Sequence, residues 1–371
     1  MRKITHSLIL LVLALGVACS PAPAPTPVPT LAPAPTLAPA PTAGPVVEVS
    51  PVAIPLAGSL AHARSEISGL AWYGDNLIIL PQYPDFEKRR KIDPGAEPGA
   101  FALAKTDILA VLDGTRQDPL PGKKIKWTDV DLVSKLDAQG YSYTGYESIV
   151  FVGDTVFVTV EAQNKTDKNI MQAYLLAGTI APDLSAIVID TSRMTPIKSP
   201  APLNNMSQES MIVADGKLLT FYEANGAGVN PAPIASVFDQ KTLAPAGTIP
   251  LSNIDYRITD ATPLDSTGEF WATNYHFPGE TELLKAPKVD ALVQRYGQGE
   301  THARLPQVER LVEFQYNGTG ITLTDRAPIQ LTLIDEANAR NWEGIARLDG
   351  RGFLIGTDTY PTTILAFVPV P

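Results

Sequence analysis

Five acidic residues each open a short apolar run in this 371-residue chain: Glu66, Glu147, Glu209, Asp260 and Glu343. A strand gains nothing from an isolated acid at its start. The repetition is therefore informative, and the spacing of 51 to 83 residues is that of a repeat architecture. Carboxylates brought together from such repeats repel one another until protons or a cation compensate them. A hard ion with oxygen ligands, Ca²⁺ above all, tolerates the irregular shell they would offer. Two to four of these acids are expected to bind it directly, with water, neighbouring serines or backbone oxygens completing the coordination.

The apolar runs carry a second set of polar positions. Each acid leads a strand, a tight turn and a second strand, and that second strand ends on Gln82, Glu161, Glu223, Asn274 or Asp358. The turns contain Gly-Asp, Asp-Gly or Ser-Thr-Gly, residue types that tolerate the positive φ of tight hairpins. A hairpin returns to the end it started from, so both sets fall on one face. Glu161, Glu223 and Asp358 are the candidates for a general base there. Arg64, Arg257 and Arg340 precede ring acids by two or three residues, and they either bind an anionic substrate or neutralise the acids. His276, just beyond Asn274, is a further candidate for contact with substrate.

Five such hairpins with variable loops predict an all-β fold, a five-bladed β-propeller of four-stranded blades. The stretch from Asp260 to Glu343 leaves room for a degenerate sixth blade. After the fifth hairpin only one strand remains, Thr362 to Val368, so Val52 to Leu56 is expected to complete the last blade and lock the ring. Longer connections crown the acidic face: Pro84 to Gly99 with its Lys88–Lys91 run, the helix-like Thr128 to Gly140, and Phe277 to Pro306.

The N-terminal residues read as export and tether. Arg2 and Lys3 precede the apolar run Leu8 to Leu15, and Gly16 to Cys19 resembles a bacterial lipobox in which Cys19 is lipidated. The expected organisation is a signal peptide over 1–19, a Pro/Ala/Thr-rich linker over 20–45 in polyproline II form, and the propeller over 46–371. Cys19 is the single cysteine, so the folded part has neither a disulfide nor a catalytic thiol. A net charge of −10 argues against nucleic acid as a partner. The four histidines lack zinc-type spacing, and no P-loop, dinucleotide fingerprint or nucleophile elbow is present.

The stretch S-E-I-S-G-L-A followed by G-D-N-L, and the later W-E-G-I-A, resemble two related propeller groups. One is the phytase-like group of exported bacterial proteins with "esterase-like activity of phytase". The other is the calcium-activated nucleotidases, or apyrases, whose Y-E-G-I is similar to Trp342 to Ile345. The apyrase His-Glu-Ala stretch and paired arginines are not found in this chain. The resemblance implies Ca²⁺-dependent hydrolysis of a phosphate ester or anhydride, with a phosphorylated small molecule as substrate. The full expectation is a monomeric, extracytoplasmic protein, lipid-anchored to a bacterial membrane. The alternative is a non-catalytic binding propeller in which the axial Ca²⁺ is structural.

Overall fold

The structure, a computed structural model, describes residues 46–63, 65–84 and 99–370. The expected signal peptide with Cys19, the linker, Arg64 and the Lys88–Lys91 run lie outside the described residues. Among the described residues twenty-two strands are arranged around one axis, beginning with β1 (Val52–Ala53). Blade 1 is β2 (Ile67–Tyr73), β3 (Asn76–Pro81), β4 (Ala100–Ala104) and β5 (Lys123–Thr128). Blade 2 is β6 (Tyr141–Val152), β7 (Thr155–Asn164), β8 (Met171–Ile180) and β9 (Ala186–Ile189), with β10 (Thr195–Ile197) also paired to β8. Blade 3 is β11 (Gln208–Ala214), β12 (Lys217–Tyr222), β13 (Ile234–Asp239) and β14 (Pro245–Pro250). Blade 4 is β15 (Arg257–Ala261), β16 (Glu269–His276), β17 (Val308–Tyr316) and β18 (Ile321–Leu323), with β19 (Ile329–Gln330) beside β17.

Blade 5 contains β20 (Trp342–Leu348), β21 (Gly352–Thr357) and β22 (Leu365–Pro369), and its fourth strand is β1. Val52 pairs with Phe367 and Ala53 with Ala366, so the two ends of the domain close one sheet as the sequence predicts. The innermost strands pack in a cycle: β2 on β6, β6 on β11, β11 on β15, β15 on β20, and β20 back on β2. There are five blades, and the long stretch between Asp260 and Glu343 is blade 4 with an insertion. That insertion carries two short helices, α3 (Thr281–Leu284) and α4 (Ala291–Tyr296), where the sequence pattern reads as one; Lys285 at φ 47° and Pro287 separate them. The other α-helices among the described residues are α1 (Lys105–Leu112) and α2 (Leu132–Ala138), the latter inside the expected Thr128–Gly140 segment.

Two departures from regular blades matter. The outer strands β5 and β9 pair in parallel, Trp127 with Ile187, which fuses the outer edges of blades 1 and 2 into one sheet. Every innermost hairpin also carries a bulge close to the axis. The ladder slips between Ile67 and Gly69, Tyr146 and Ser148, Gln208 and Ser210, Ile258 and Ala261, and Trp342 and Gly344. A bulge leaves one residue out of the ladder and bends the strand, which re-aims that side chain.

Candidate functional site: an axial carboxylate nest

The bulges set a register that the sequence spacing only approximates. Counting back one residue from Gly69, Ser148, Ser210, Ala261 and Gly344, the extra residues are Ser68, Glu147, Glu209, Asp260 and Glu343. Blade 1 thus places a serine where the other four place an acid. Glu66 lies two residues earlier, at φ 48°, and accepts a hydrogen bond from Thr359 Oγ1 at 2.5 Å. The sequence clue was present: S-G-L-A over 68–71 aligns with E-G-I-A over 343–346 better than Ser65-Glu66 does. The second set is in strict register, since Gln82, Glu161, Glu223, Asn274 and Asp358 each lie two residues beyond the partner of the post-bulge residue.

Glycine makes room where the nest is tightest. At Gly145, φ 150°, a Cβ would lie 2.4 Å from Gln82 Cγ and 3.0 Å from Glu147 Oε1. At Gly344 it would lie 2.7 Å from Leu70 Cγ, so the close approach of blade 5 to blade 1 needs a residue without a side chain.

Arg257 is the cation inside the nest. Its Nε binds Glu223, its Nη2 lies 3.4 Å from Glu209 and 3.6 Å from Glu343, and its Nη1 lies 3.5 Å from Glu280. One guanidinium is shared by four carboxyl groups drawn from three blades. Of the two roles open to it from sequence, these contacts are those of neutralising the acids. Glu223 is committed to it, and its other oxygen accepts the Ser207 amide at 3.4 Å. Arg340 lies elsewhere: its Nε donates to Glu309 at 2.8 Å and its Nη2 to the Thr332 carbonyl at 2.5 Å, while Trp342 Nε1 donates to the same Glu309 carboxyl. That set ties blade 4 to blade 5. His276 is buried, stacks on Tyr256, and shares a hydrogen bond between its Nε2 and Thr281 Oγ1; burial, reinforced by Arg310, pushes its pKa down to about 4.

Asp260 differs from the other ring acids. Its Oδ1 accepts the Ala261 amide and its Oδ2 the Ile345 amide, both at 2.8 Å, so it staples blade 4 to blade 5 through backbone donors. Glu147, Glu161 and Asp358 form no salt bridge to Arg257, although its charge still opposes the rise in pKa of Glu161 and Asp358. Among the described residues no Lys or Arg side chain is in salt-bridge range of these three. Glu161 Oε2 accepts from Thr144 Oγ1 at 2.9 Å, whereas Glu147 Oε1 and Asp358 Oδ1 are buried without a hydrogen-bond partner. Burial raises the pKa of each carboxyl, and neighbouring acids raise it further. Glu161 is pushed up to about 7 by burial and then by Glu209. Asp358 reaches about 7 by burial and then by Glu66, and Glu209 about 7 by burial against the opposing pull of Arg257. Glu147 and Glu343 rise well above the carboxylate range, from burial first and then from their acidic neighbours.

The nest opens to a cavity of about 410 Å³ whose lining includes Arg257, Glu280, Asn341, Asp358, Phe277 and Tyr360. Of the three base candidates only Asp358 lines it. The sequence reading missed Glu280, Asn341 and Tyr360. Glu280 lies in a loop insertion with no repeat to betray it, but Asn341 and Tyr360 flank Glu343 and Asp358 and were open to inspection.

No family model and no curated protein matches this chain. Solved structures do match, at low identity. The exo-β-1,3-galactanase 1,3Gal43A from Clostridium thermocellum aligns with a TM-score of 0.47 at 8% identity, over 87% of this chain and 62% of that one. The GH32 β-fructofuranosidase BmSUC1 from Bombyx mori, in complex with sucrose, gives 0.47 at 7%, over 86% and 61%. The GH43 protein BlXynB from Bacillus licheniformis gives 0.41 at 9%, over 81% and 50%. This chain therefore spans between half and two thirds of the length of these proteins. The likeness is one of β-propeller fold alone. None of the three is a phytase or a nucleotidase, so the finer resemblance seen in S-E-I-S-G-L-A and W-E-G-I-A has no family-level counterpart among them.

Proposed function

We propose that this chain is an exported, lipid-anchored propeller that binds a hard divalent cation, with Ca²⁺ the leading candidate, in the part of its axial nest where no carboxyl group forms a salt bridge to Arg257. The observation that carries this reading is the pair of buried, unpartnered oxygens, Glu147 Oε1 and Asp358 Oδ1, in a region with an excess of carboxyl groups over cations. Leaving buried acceptors unmatched is costly, and an ion or protons must compensate them. The donor set is all oxygen, which fits a hard cation in kind. As placed, no three His, Cys, Asp or Glu side chains among the described residues form a group that could hold a metal ion. Glu147, Glu161 and Asp358 would have to draw together to hold it, with the Ser68 hydroxyl, also unpartnered, on the blade 1 side. Glu66, Glu209 and Glu343 stand around them, and Asp260 braces the ring.

A second reading is Ca²⁺-dependent hydrolysis of a phosphate ester or anhydride. It is favoured by Asp358, a carboxyl poised near neutrality that lines the cavity and can accept a proton there. A bound ion would supply Lewis-acid chemistry. Against an anionic substrate stands the sharing of Arg257 among four carboxyl groups, which leaves it little attraction for phosphate. Binding is therefore the primary reading.

Elemental analysis of the purified domain and calorimetric titration of chelator-stripped protein with Ca²⁺ test it. Saturable binding that Glu147→Gln weakens about ten-fold or more supports the site. Undiminished binding in that variant, or none in the parent, overturns it. Turnover of inositol phosphate, nucleotide or p-nitrophenyl phosphate that needs Ca²⁺ and falls in Asp358→Asn establishes the hydrolase.

A further inference from the structure

The cavity at the mouth of the nest presents three acceptors that none of its lining donors satisfies. Asn341 is buried and its amide orientation is fixed by its neighbours: Nδ2 donates to Glu343 Oε1 at 2.5 Å and faces Asp358 Oδ2 at 3.5 Å. With Nδ2 turned to these two carboxyl groups, Oδ1 faces the other way. That Oδ1 has no partner, and neither do the buried Oε2 of Glu280 and Oδ1 of Asp358. All three residues line the same cavity. Its rim is apolar and open: Phe277 is 46% exposed and Tyr360 is 66% exposed, although both are large aromatic side chains.

We propose that this cavity binds a small primary amine, its ammonium group placed among Glu280, Asn341 and Asp358 and its apolar tail laid against Phe277 and Tyr360. An ammonium carries three N–H donors and one positive charge, which matches three unpartnered acceptors of which two are acids. A neutral alcohol supplies at most one donor and no charge. A quaternary ammonium supplies the charge but no N–H, and leaves all three acceptors unmatched. A carboxylate or phosphate meets the unpartnered lone pairs of Glu280, Asn341 and Asp358, beside an Arg257 already shared by four carboxyl groups. The resident guanidinium does not repel the amine strongly, because Arg257 is enclosed by Glu209, Glu223, Glu280 and Glu343. The aromatic rim adds burial of the tail and a face for the cation. This site goes beyond the divalent-cation reading: it uses Glu280 and Asn341, which that reading does not, and shares only Asp358 with it.

The test is calorimetric titration of the intact domain with n-pentylammonium, N,N,N-trimethylpentylammonium and pentan-1-ol. Saturable binding of the primary amine is expected, with the trimethyl analogue and the alcohol each weaker by about ten-fold or more. Glu280→Gln, at a partly exposed position, and Tyr360→Ala, on the surface, are expected to weaken the amine by a similar factor while leaving Ca²⁺ titrations unchanged. Glu147→Gln is expected to do the reverse, so that failure of one site is distinguishable from failure of the other. Equal affinity for the three probes, preference for the trimethyl compound, absence of binding at about 10 mM, or an unaffected Glu280→Gln variant would overturn the proposal.

Discussion

Arg257, on the innermost strand of blade 4, holds its Nη2 atom 3.4 Å from Glu209 on the innermost strand of blade 3. Both side chains are almost wholly buried, and the same guanidinium continues to Glu223, Glu280 and Glu343. The axis of the propeller therefore has a built-in counter-ion. Removing it strands several buried carboxyl groups at once. Arg257→Met is expected to cost about 3–5 kcal/mol of unfolding free energy near neutral pH. The loss should shrink at about pH 5, where the stranded groups take up protons instead of remaining charged. Urea denaturation of parent and variant at both pH values measures it, and an equal loss at both would contradict the counter-ion role.

The raised carboxyls make a second expectation about pH. Glu161 and Glu209 titrate near 7 in the folded chain against an ordinary value of 4.5, and Asp358 near 7 against 3.8. A carboxyl whose folded pKa exceeds its unfolded pKa takes up a proton on folding. Its favourable contribution is complete below the unfolded pKa and is lost as pH rises through the folded one. Chelator-treated protein should therefore lose stability steadily between about pH 4.5 and about pH 7.5. A bound divalent cation replaces the protons, so millimolar Ca²⁺ should raise the melting temperature more at about pH 8 than at about pH 5.5. At a hundred-fold excess over its Kd the ion contributes about 2.7 kcal/mol. Scanning calorimetry with and without EDTA tests both slopes, and a Ca²⁺ effect independent of pH would break the link to these carboxyls.

The N-terminal strap offers a local test. Glu48 accepts hydrogen bonds from the Thr301 amide and hydroxyl and from the His302 amide and Nδ1, all within 3.1 Å of one of its oxygens. Burial opposes its charged form, yet these donors hold the Glu48 carboxyl below its ordinary range. Next to it Val49 bridges to Leu331, and β1 then closes blade 5. Glu48→Ala removes a charged acceptor and leaves several donors buried, with an expected cost of about 2–4 kcal/mol. Because the strand it anchors is the one that closes the ring, hydrogen exchange should accelerate at β22 as well as at 301–302. Acceleration confined to 301–302 would show that closure does not depend on this anchor.

The five-bladed ring, its closure by residues 52–53 and the polar identity of the axis were legible because each rests on repetition. Five hairpins with the same ending leave a periodic trace, and a one-strand remainder at the C-terminus demands a partner at the N-terminus. What spacing could not settle was register to the residue. A bulge shifts a strand by one position without changing the apolar pattern, so reading for acids alone put Glu66 in the ring, where the ladder puts Ser68. Nor could spacing distinguish an arginine that serves substrate from one that serves the protein. Arg257 and Arg340 stand at similar distances from ring acids in the chain, but one enters the nest and the other pairs with Glu309. Glu280 was out of reach for a different reason: insertion loops follow no repeat.

The register itself can be tested. Ser68 holds in blade 1 the bulge position that acids hold in the other four blades. It is 1% exposed and its hydroxyl has no hydrogen-bond partner. Ser68→Glu would place a fifth acid into a ring whose carboxyls already share one guanidinium, so the ion-free protein should lose about 1–3 kcal/mol near pH 8, where a buried acid is charged or must buy its proton from dilute solution. Ser68→Ala removes an unmatched hydroxyl and should be nearly neutral. If the axis binds Ca²⁺, the added carboxylate becomes a ligand, and the ion should recover more stability in Ser68→Glu than in the parent. Glu66→Gln provides the contrast, since that residue lies off the ring register and its replacement should change the Ca²⁺ increment less than Glu147→Gln does. Melting curves of the four variants, with EDTA and with Ca²⁺, decide the matter. A Ser68→Glu protein whose Ca²⁺ increment matches the parent's would mean that the bulge side chains do not share a common ion.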